Sequence, residues 1–386
     1  MPKSSMAIDA GSRPPDAHTL CAKMAHTPTI PCGQGTVAVM TEVIRVDPVR
    51  PNQDDIARAA ACLRAGGLVA FPTETVYGLG AHALDRAAVR RLFDAKGRPP
   101  NDPLIVHVST MEQAVALTVD APDVARALAS RFWPGPLTLV LRRAAVVPSE
   151  VTAGLDTVAI RVPAHPVARA LIEAAALPVA APSANVFSRP SPTRGSHVID
   201  DLGGRIDMVL DAGPTGIGVE STVIDLTTDS PIVLRPGVVA LEELRTIIPA
   251  ITVRAPGIAA TGPLASPGLL SQHYAPRTPM TLYEGGPWAR KALLDGIHAA
   301  LAAGRRVGVM ATDEEADALR DEPVVLARLG PAGDVDRIAL RLYAALRELD
   351  AAQLDLILAH DFVRDTGLWR AVRDRLRRAS SRVIRT

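Results

Sequence analysis

From Ile56 onward the apolar residues switch period again and again, now three to four apart, now continuous, and few folds accommodate such a pattern. DDIARAAACLRAGG reads as an amphipathic helix closed by Gly66 and Gly67, and LVAFPT as the buried strand after it. DRAAVRRLFDAK, PDVARALASRFW and HPVARALIEAA repeat the helical pattern. LIVHVS, PLTLVLRR, TVAIRVP and PVAAPS read as strands, followed by DMVLDAG, STVIDLT and IVLRPG. Helices interleaved with short apolar strands predict an α/β sheet with some antiparallel neighbours. From Arg254 to Pro279 Pro and Gly crowd together, which predicts an extended linker. A second unit starts near Met280, where RRVGVMAT and LDLILAH read as strands around the helix VDRIALRLYAALRELDAA, the pattern of a small Rossmann-like α/β domain. The expected division is residues 1–39 as a flexible extension, 40–253 as a first domain, 254–279 as a linker and 280–386 as a second domain, and 386 residues suffice for two cores. No internal repeat of fixed period is visible.

Hydrophobic residues make up 48% of the chain, yet the longest apolar runs fall far short of the ~18 to 20 residues a bilayer span needs, so no membrane span is implied. Forty-two Lys and Arg against 41 Asp and Glu leave the overall field nearly neutral, so any basic function must be local. Cys21, Cys32 and Cys62 show neither Cys-x-x-Cys nor Cys/His ligand spacing, which disfavours a zinc site or a disulfide framework and suits a reducing cytoplasm. The first forty residues are rich in Pro, Thr, Ser, Gly and Ala, and lack the basic start and apolar core of a secretory signal. Because a strand-like pattern begins with MTEVIRVDP, an alternative start at Met40 competes with the reading of a flexible extension.

The chain has 38 arginines and only four lysines, and one of these, Lys96, stands two residues before Arg98 at the end of a helical pattern that Pro99 and Pro100 stop. A compact ammonium beside a planar guanidinium on a stiff turn suits polyphosphate; two cations meeting a helix dipole is the alternative. FPTETVYGLGAHAL offers Thr73, Glu74, Thr75 and Tyr77, with Gly78 and Gly80 able to let backbone approach a ligand. Gly78, Gly80 and Ala83 mimic a dinucleotide fingerprint, but the spacing from the strand and the missing acidic residue exclude it, and no P-loop is present. Ser183, Asn185, Ser188 and Ser191 are interleaved with prolines after a strand, either as ligand contacts or as local turns. Ser221 and Thr222 open a strand in GVESTVID and Arg235 ends one in LRPG, the edges where α/β proteins bind ligands. His107 lies in an apolar strand, and Arg161 in AIRVP asks for a carboxylate, from the protein or from a substrate. The last segment, with eight Arg and two Asp, reads as a basic tail helix: a solvated face, or an RNA or partner surface.

PTETVYGLG, KGRPPNDPLIVHV, WPGPLTLVL, APSAN, RPSPT, GVESTV, LRPG and SPGLLSQHYAP, in this order, strongly resemble the L-threonylcarbamoyladenylate synthase family in its long, two-domain, YrdC-like form. The resemblance runs densely from about Met40 through the linker and more weakly to the C-terminus. It implies a twisted open mixed sheet around a large concave pocket in a YrdC-like catalytic domain, a linker that covers the pocket as a lid, and a tethered small second domain. It implies condensation of L-threonine, bicarbonate (or CO₂) and ATP to threonylcarbamoyl-AMP and pyrophosphate, with Mg²⁺ accompanying the nucleotide and no protein ligand assigned to it. Separate downstream proteins would transfer the threonylcarbamoyl group to tRNA, at an adenosine next to the anticodon; weak contact of this chain with tRNA is a further expectation.

Carried over residue by residue, the family's Lys-x-Arg and Ser-x-Asn signature falls on Lys96, Arg98, Ser183 and Asn185 beside the nucleotide, with Lys96 and Arg98 as the catalytic cations. The threonine pocket falls on Thr75, His107, Arg161, the backbone at Ala181, and Ser221. Further nucleotide contacts fall on Asp102, Ser191, Arg235 and Tyr274. Asp102 is an awkward neighbour for ATP unless Mg²⁺ intervenes, and Leu269 and Gln272 depart from the commoner linker residues. The neutral threonine amine attacks CO₂ or activated bicarbonate, and the carbamate then displaces pyrophosphate at the α-phosphorus, so positioning and cationic stabilisation carry the rate. No general base is assigned. The rivals are a double-stranded RNA- or tRNA-binding module without catalysis, which near-neutral charge and 3% aromatic content disfavour, and the carbamoyl-adenylating domain of hydrogenase maturation proteins, whose zinc-finger cysteines are absent here. A nucleotide-sensing regulator is a further reading for the second domain.

Overall fold

The computed structural model describes residues 40–254, 273–362 and 364–386. The expected extension, most of the linker, Cys21, Cys32, Leu269 and Gln272 lie outside the described residues. Chain order in the first part is β1 (Glu42–Arg45), α1 (Gln53–Arg64), β2 (Val69–Pro72), β3 (Tyr77–His82), α2 (Arg86–Lys96), β4 (Ile105–His107), α3 (Met111–Ala116), α4 (Asp123–Phe132), β5 (Leu137–Arg142), β6 (Thr157–Arg161), α5 (Pro166–Ala175), β7 (Val179–Ala180), α6 (Gly195–Leu202), β8 (Met208–Asp211), β9 (Thr222–Asp225), β10 (Ile232–Arg235), α7 (Leu241–Leu244) and β11 (Thr252–Val253). Its strands form one mixed sheet, ordered β1-β8-β2-β3-β7-β4-β6-β5-β9-β10-β11.

Strand alternation sends successive side chains to opposite faces, and the two faces are filled differently. On one face Leu79, Val106, Ile160 and Val209 pack under α2 and α6, and Leu139 and Ile224 under α4 and α7. On the other, Val69, Phe71 and Val179 meet α1 and α5, whose apolar stripes supply Ile56, Leu63, Val167 and Leu171. Ile105, Val140, Ala159, Val223 and Leu234 form a small separate cluster. Register pairing of Val106 with Ala180 sets Ile105, and with it His107, on the face that α1 and α5 cover, but farther along the sheet.

The second part comprises β12 (Met280–Glu284), α8 (Pro287–Ala302), β13 (Val307–Ala311), α9 (Asp313–Ala318), β14 (Val325–Arg328), α10 (Val335–Ala351), β15 (Leu356–His360), α11 (Leu368–Ala379) and β16 (Arg382–Arg385). Its strands pair in parallel in the order β14-β13-β15-β12-β16, the expected Rossmann-like sheet. Val76 and Val219 from the first part join Leu342, Tyr343 and Leu346 in one buried cluster. Each such aliphatic side chain contributes about 1.5–3 kcal/mol when fully buried, so the two parts share a core across their contact.

Two sequence readings change. YGLGAH runs as strand β3, antiparallel to β2, so the stretch is not a ligand-cradling loop throughout. A Cβ at Gly80 would stand 2.8 Å from Phe71 Cε1 and 2.9 Å from Val179 Cγ1, so that glycine serves strand packing. The arginines of the tail helix α11 are drawn into ion pairs rather than forming an open basic face: Arg370 with Glu242, Arg373 with Asp361, Arg375 with Glu220, Arg377 with Glu284 and Arg378 with Asp374.

Candidate active site

Sheet topology alone gathers the polar side chains. β4 and β6 run parallel with His107 opposite Arg161, so both end side by side. β5 is antiparallel to β6 and parallel to β9, which returns the start of β9, with Ser221 and Thr222, to the same edge. β10 then runs back against β9 and ends there with Arg235. The β2–β3 turn adds Thr73 and Thr75, and the stretch after α2 adds Arg98. Gly78, Ala181, Ser183, Glu220, His273 and Tyr274 join Thr73, Thr75, Arg98, His107, Arg161, Ser221 and Arg235 in walling one cavity.

All five residues expected around threonine line this cavity: Thr75, His107, Arg161, Ala181 and Ser221. Arg161 donates to the Gly135 carbonyl at 3.0 Å and to Thr75 Oγ1 at 3.1 Å. The protein also supplies the carboxylate that a buried guanidinium requires, since Glu74 Oε1 lies 2.6 Å from Arg161 Nη2. Burial opposes the Glu74 charge, but the Arg161 guanidinium outweighs it and holds the carboxyl below its ordinary range. His107 is pulled down to about 3, first by burial and then by Arg161, so it is a neutral imidazole near pH 7 and too weakly basic to serve as a general base. Its Nδ1 has no hydrogen-bond partner among the described residues, leaving a polar atom for a ligand. Ser221 Oγ is fixed by Thr138 Oγ1 at 2.8 Å and by Arg235 Nη2 at 3.1 Å.

The residues expected around the nucleotide divide. Arg98, Ser183, Arg235 and Tyr274 line the cavity; Lys96, Asp102, Asn185 and Ser191 stand behind its wall. Gly97 takes the left-handed conformation that ends α2, with φ 62°, and the Lys96 side chain turns into the interior. There its ammonium donates to the carbonyls of Ser183 and Asn185 and so clamps the loop between them. Burial, then the neighbouring Arg98, push the Lys96 pKa well down. Asp102 ion-pairs Arg98 at 2.8 Å, which places it as a partner of a cavity cation and not as a cavity group. Asn185 Nδ2 donates to the Val186 and Arg189 carbonyls, and Ser191 Oγ donates to Glu220 Oε1 at 2.6 Å.

Sequence reasoning passed over Glu74 as the partner of Arg161, and Glu220 and His273 as lining residues. The signal for Glu220 was present, because a carboxylate sits inside GVESTV next to the serine singled out. Tyr274 is fully buried, with His273 edge-on at 4.1 Å between ring centroids and Tyr343 at 5.5 Å. Among the described residues no group of three or more His, Cys, Asp or Glu could hold a metal ion, so no resident metal centre is assigned. No helix among them is long and apolar enough to cross a membrane.

A mixed sheet whose strand ends line one cavity with three arginines, five hydroxyls and two imidazoles is the build of an α/β enzyme with a polar small-molecule site. Known proteins specify it further. Residues 61–237 match the family model described as "Telomere recombination", and residues 239–381 match the model described as "Threonylcarbamoyl-AMP synthase, C-terminal domain". A Bacillus subtilis protein named threonylcarbamoyl-AMP synthase is 45% identical over 88% of this chain and 97% of its own length. The crystal structure of Pyrococcus abyssi Sua5 complexed with L-threonine superposes with a TM-score of 0.84 at 44% identity, covering 90% of this chain and 100% of that one. A shorter Marinobacter nauticus protein of the same name is 34% identical over 47% of this chain and 96% of its own length. The chain belongs to the threonylcarbamoyl-AMP synthase family.

Proposed function

We propose that this enzyme makes L-threonylcarbamoyladenylate from L-threonine, bicarbonate and ATP with release of pyrophosphate, the first step of N6-threonylcarbamoyladenosine formation in tRNAs reading codons that begin with A. The observation that carries the reading is the convergence of Arg98, Arg161, Arg235, His107, Thr75 and Ser221 on one cavity. Arg161, shared with Glu74, would receive the threonine carboxylate, with Thr75 and Ser221 as hydroxyl partners and His107 as a neutral hydrogen-bonding group. Arg98 and Arg235 would face the phosphates, and Tyr274 the nucleotide. Lys96 acts one step back, holding the Ser183–Asn185 loop that forms the cavity wall, with Asp102, Asn185 and Ser191 as positioning residues. Mg²⁺ enters only as the companion of the nucleotide, and bicarbonate and the downstream transfer proteins follow from the reaction.

Seating the amine, the carbamate carbon source and the α-phosphorus together makes proximity and fixed cationic groups the main sources of rate. The test is pyrophosphate release from ATP and bicarbonate, with and without L-threonine, with the adenylate product identified by mass. Release that requires threonine and yields threonylcarbamoyl-AMP is expected; threonine-independent release, or no adenylate, would refute the reading. The tail-helix ion pairs described above speak against the double-stranded RNA module, because they tie up the arginines such a surface would use.

A further inference from the structure

Glu220 poses a difficulty. It lines the cavity with its carboxylate buried, in a site that would have to accept a triphosphate, and like charges repel strongly where water is excluded. Within the cavity wall the three arginines are each near an acid: Arg98 pairs Asp102, Arg161 pairs Glu74, and Arg235 lies across Ser221 from Glu220. Behind the wall Lys96 adds one cation whose charge burial opposes, so these pairs leave little net positive charge for a polyanion.

The missing cation comes from the other domain. Arg375, on the buried face of α11 and fully inaccessible, donates Nε to Glu220 Oε2 at 2.8 Å. Tyr343 of α10 donates its hydroxyl to the same carboxylate, 2.9 Å from either oxygen, and Ser191 of the first domain donates at 2.6 Å. The Arg375 guanidinium also stands 5.3 Å from the centre of the Tyr274 ring. A buried carboxylate with this many charge-assisted partners is fixed in place and neutralised. The attachment around it is polar on both flanks: Arg347 of α10 binds Asp201 at 2.7 Å and the Pro190 carbonyl, and Arg189 binds Asp350 at 2.9 Å. The shorter M. nauticus relative is too short to hold both domains, so a catalytic domain of this kind does not require a second one in general. In this chain the second domain supplies the counter-charge.

We propose that Arg375 and Tyr343 of the second domain are positioning residues for the reaction: by neutralising and fixing Glu220 they let the first domain's cavity accept the polyphosphate of a nucleotide, which neither of them touches. The inference rests on the nucleotide reading above. Steady-state kinetics on the full-length chain test it. Arg375→Met raises the KM for ATP about tenfold or more while the KM for L-threonine stays within about twofold. The double variant Glu220→Gln/Arg375→Met brings the KM for ATP back to within about threefold of the starting value, because the uncompensated charge is gone. No rise with Arg375→Met, equal rises in both KM values, or a double variant as impaired as the single one would overturn the proposal. Should Arg375→Met fail to fold, Glu220→Gln alone decides: an unchanged or lowered KM for ATP supports the charge account, and a raised one overturns it. Absence of threonine-dependent pyrophosphate release from the unmodified chain would instead sink the functional reading itself.

Discussion

The two sides of the cavity are built by different means. The side proposed for threonine stands on strand ends and one tight turn of a single sheet: His107 and Arg161 are register partners, and Thr75 sits between paired strands. The side proposed for the phosphates is assembled from the stretch after α2, the loop through Ser183 and Asn185, the linker residues His273 and Tyr274, and, through Glu220, a helix from the other domain. On the first side backbone register fixes where the residues stand, and within this one sheet the Arg161 head is held by Glu74 and Thr75. A side fixed by buried ion pairs and side-chain clamps depends on each partner, and breaking one such pair costs about 3–5 kcal/mol. The lesson is that threonine recognition should be local to the first domain, whereas nucleotide recognition should report on the whole molecule.

The largest expected effect is on the rigid side. Arg161→Met lowers kcat/KM for L-threonine by about 10² to 10³ and also exposes Glu74 to burial without its cation. A variant within a few-fold of the unmodified enzyme would remove Arg161 from the threonine seat. Next in size is Lys96→Arg, which conserves charge but forces a planar, wider head where a compact ammonium meets two carbonyls; activity should fall about tenfold or more, chiefly through the KM for ATP. An unimpaired Lys96→Arg would mean that the clamp tolerates either cation and does not explain this rare lysine.

A separate effect falls on acid stability, and its sign follows from the buried histidines. His107 and His273 are both pulled to about 3, chiefly by burial, from an ordinary value of 6.5. Between those limits the unfolded chain holds more protons, so stability is full above about pH 6.5 and falls as the pH is lowered toward 3, by about 1.4 kcal/mol per unit for each histidine. Glu220, held at about 2 against burial by Arg375 and Arg235, adds a loss as pH falls from about 4.5 toward 2. Urea midpoints measured from pH 7 to 4 should therefore decline, and His107→Gln should flatten the decline by one histidine's share. Parallel curves for both proteins would show that His107 is not held neutral.

Much of this was legible in the residues. Alternating periods announced both α/β units, and the loop and strand-edge motifs singled out Thr75, His107, Arg161 and Ser221, which share one cavity, since strand ends are positions that pattern and register determine. The phosphate side was legible only in part. Sequence spacing ties Lys96 to Arg98 but cannot say that Gly97 turns the lysine inward to cap carbonyls 87 and 89 residues away, nor that an arginine 155 residues downstream meets Glu220. The arginine-rich tail looked like a solvated face because charge counts do not reveal pairing, and α11 buries Arg375 beside Trp369, Val372 and Leu376.

The central claim is one hollow with two separately built sides, and ligand binding without turnover tests it most directly. Calorimetric titration of L-threonine and, separately, of a non-hydrolysable ATP analogue should show Arg161→Met losing threonine binding at least about tenfold while keeping the nucleotide, and Arg98→Met doing the reverse. If both variants lose both ligands equally, or if neither loses either, the cavity is not divided in this way and the account fails.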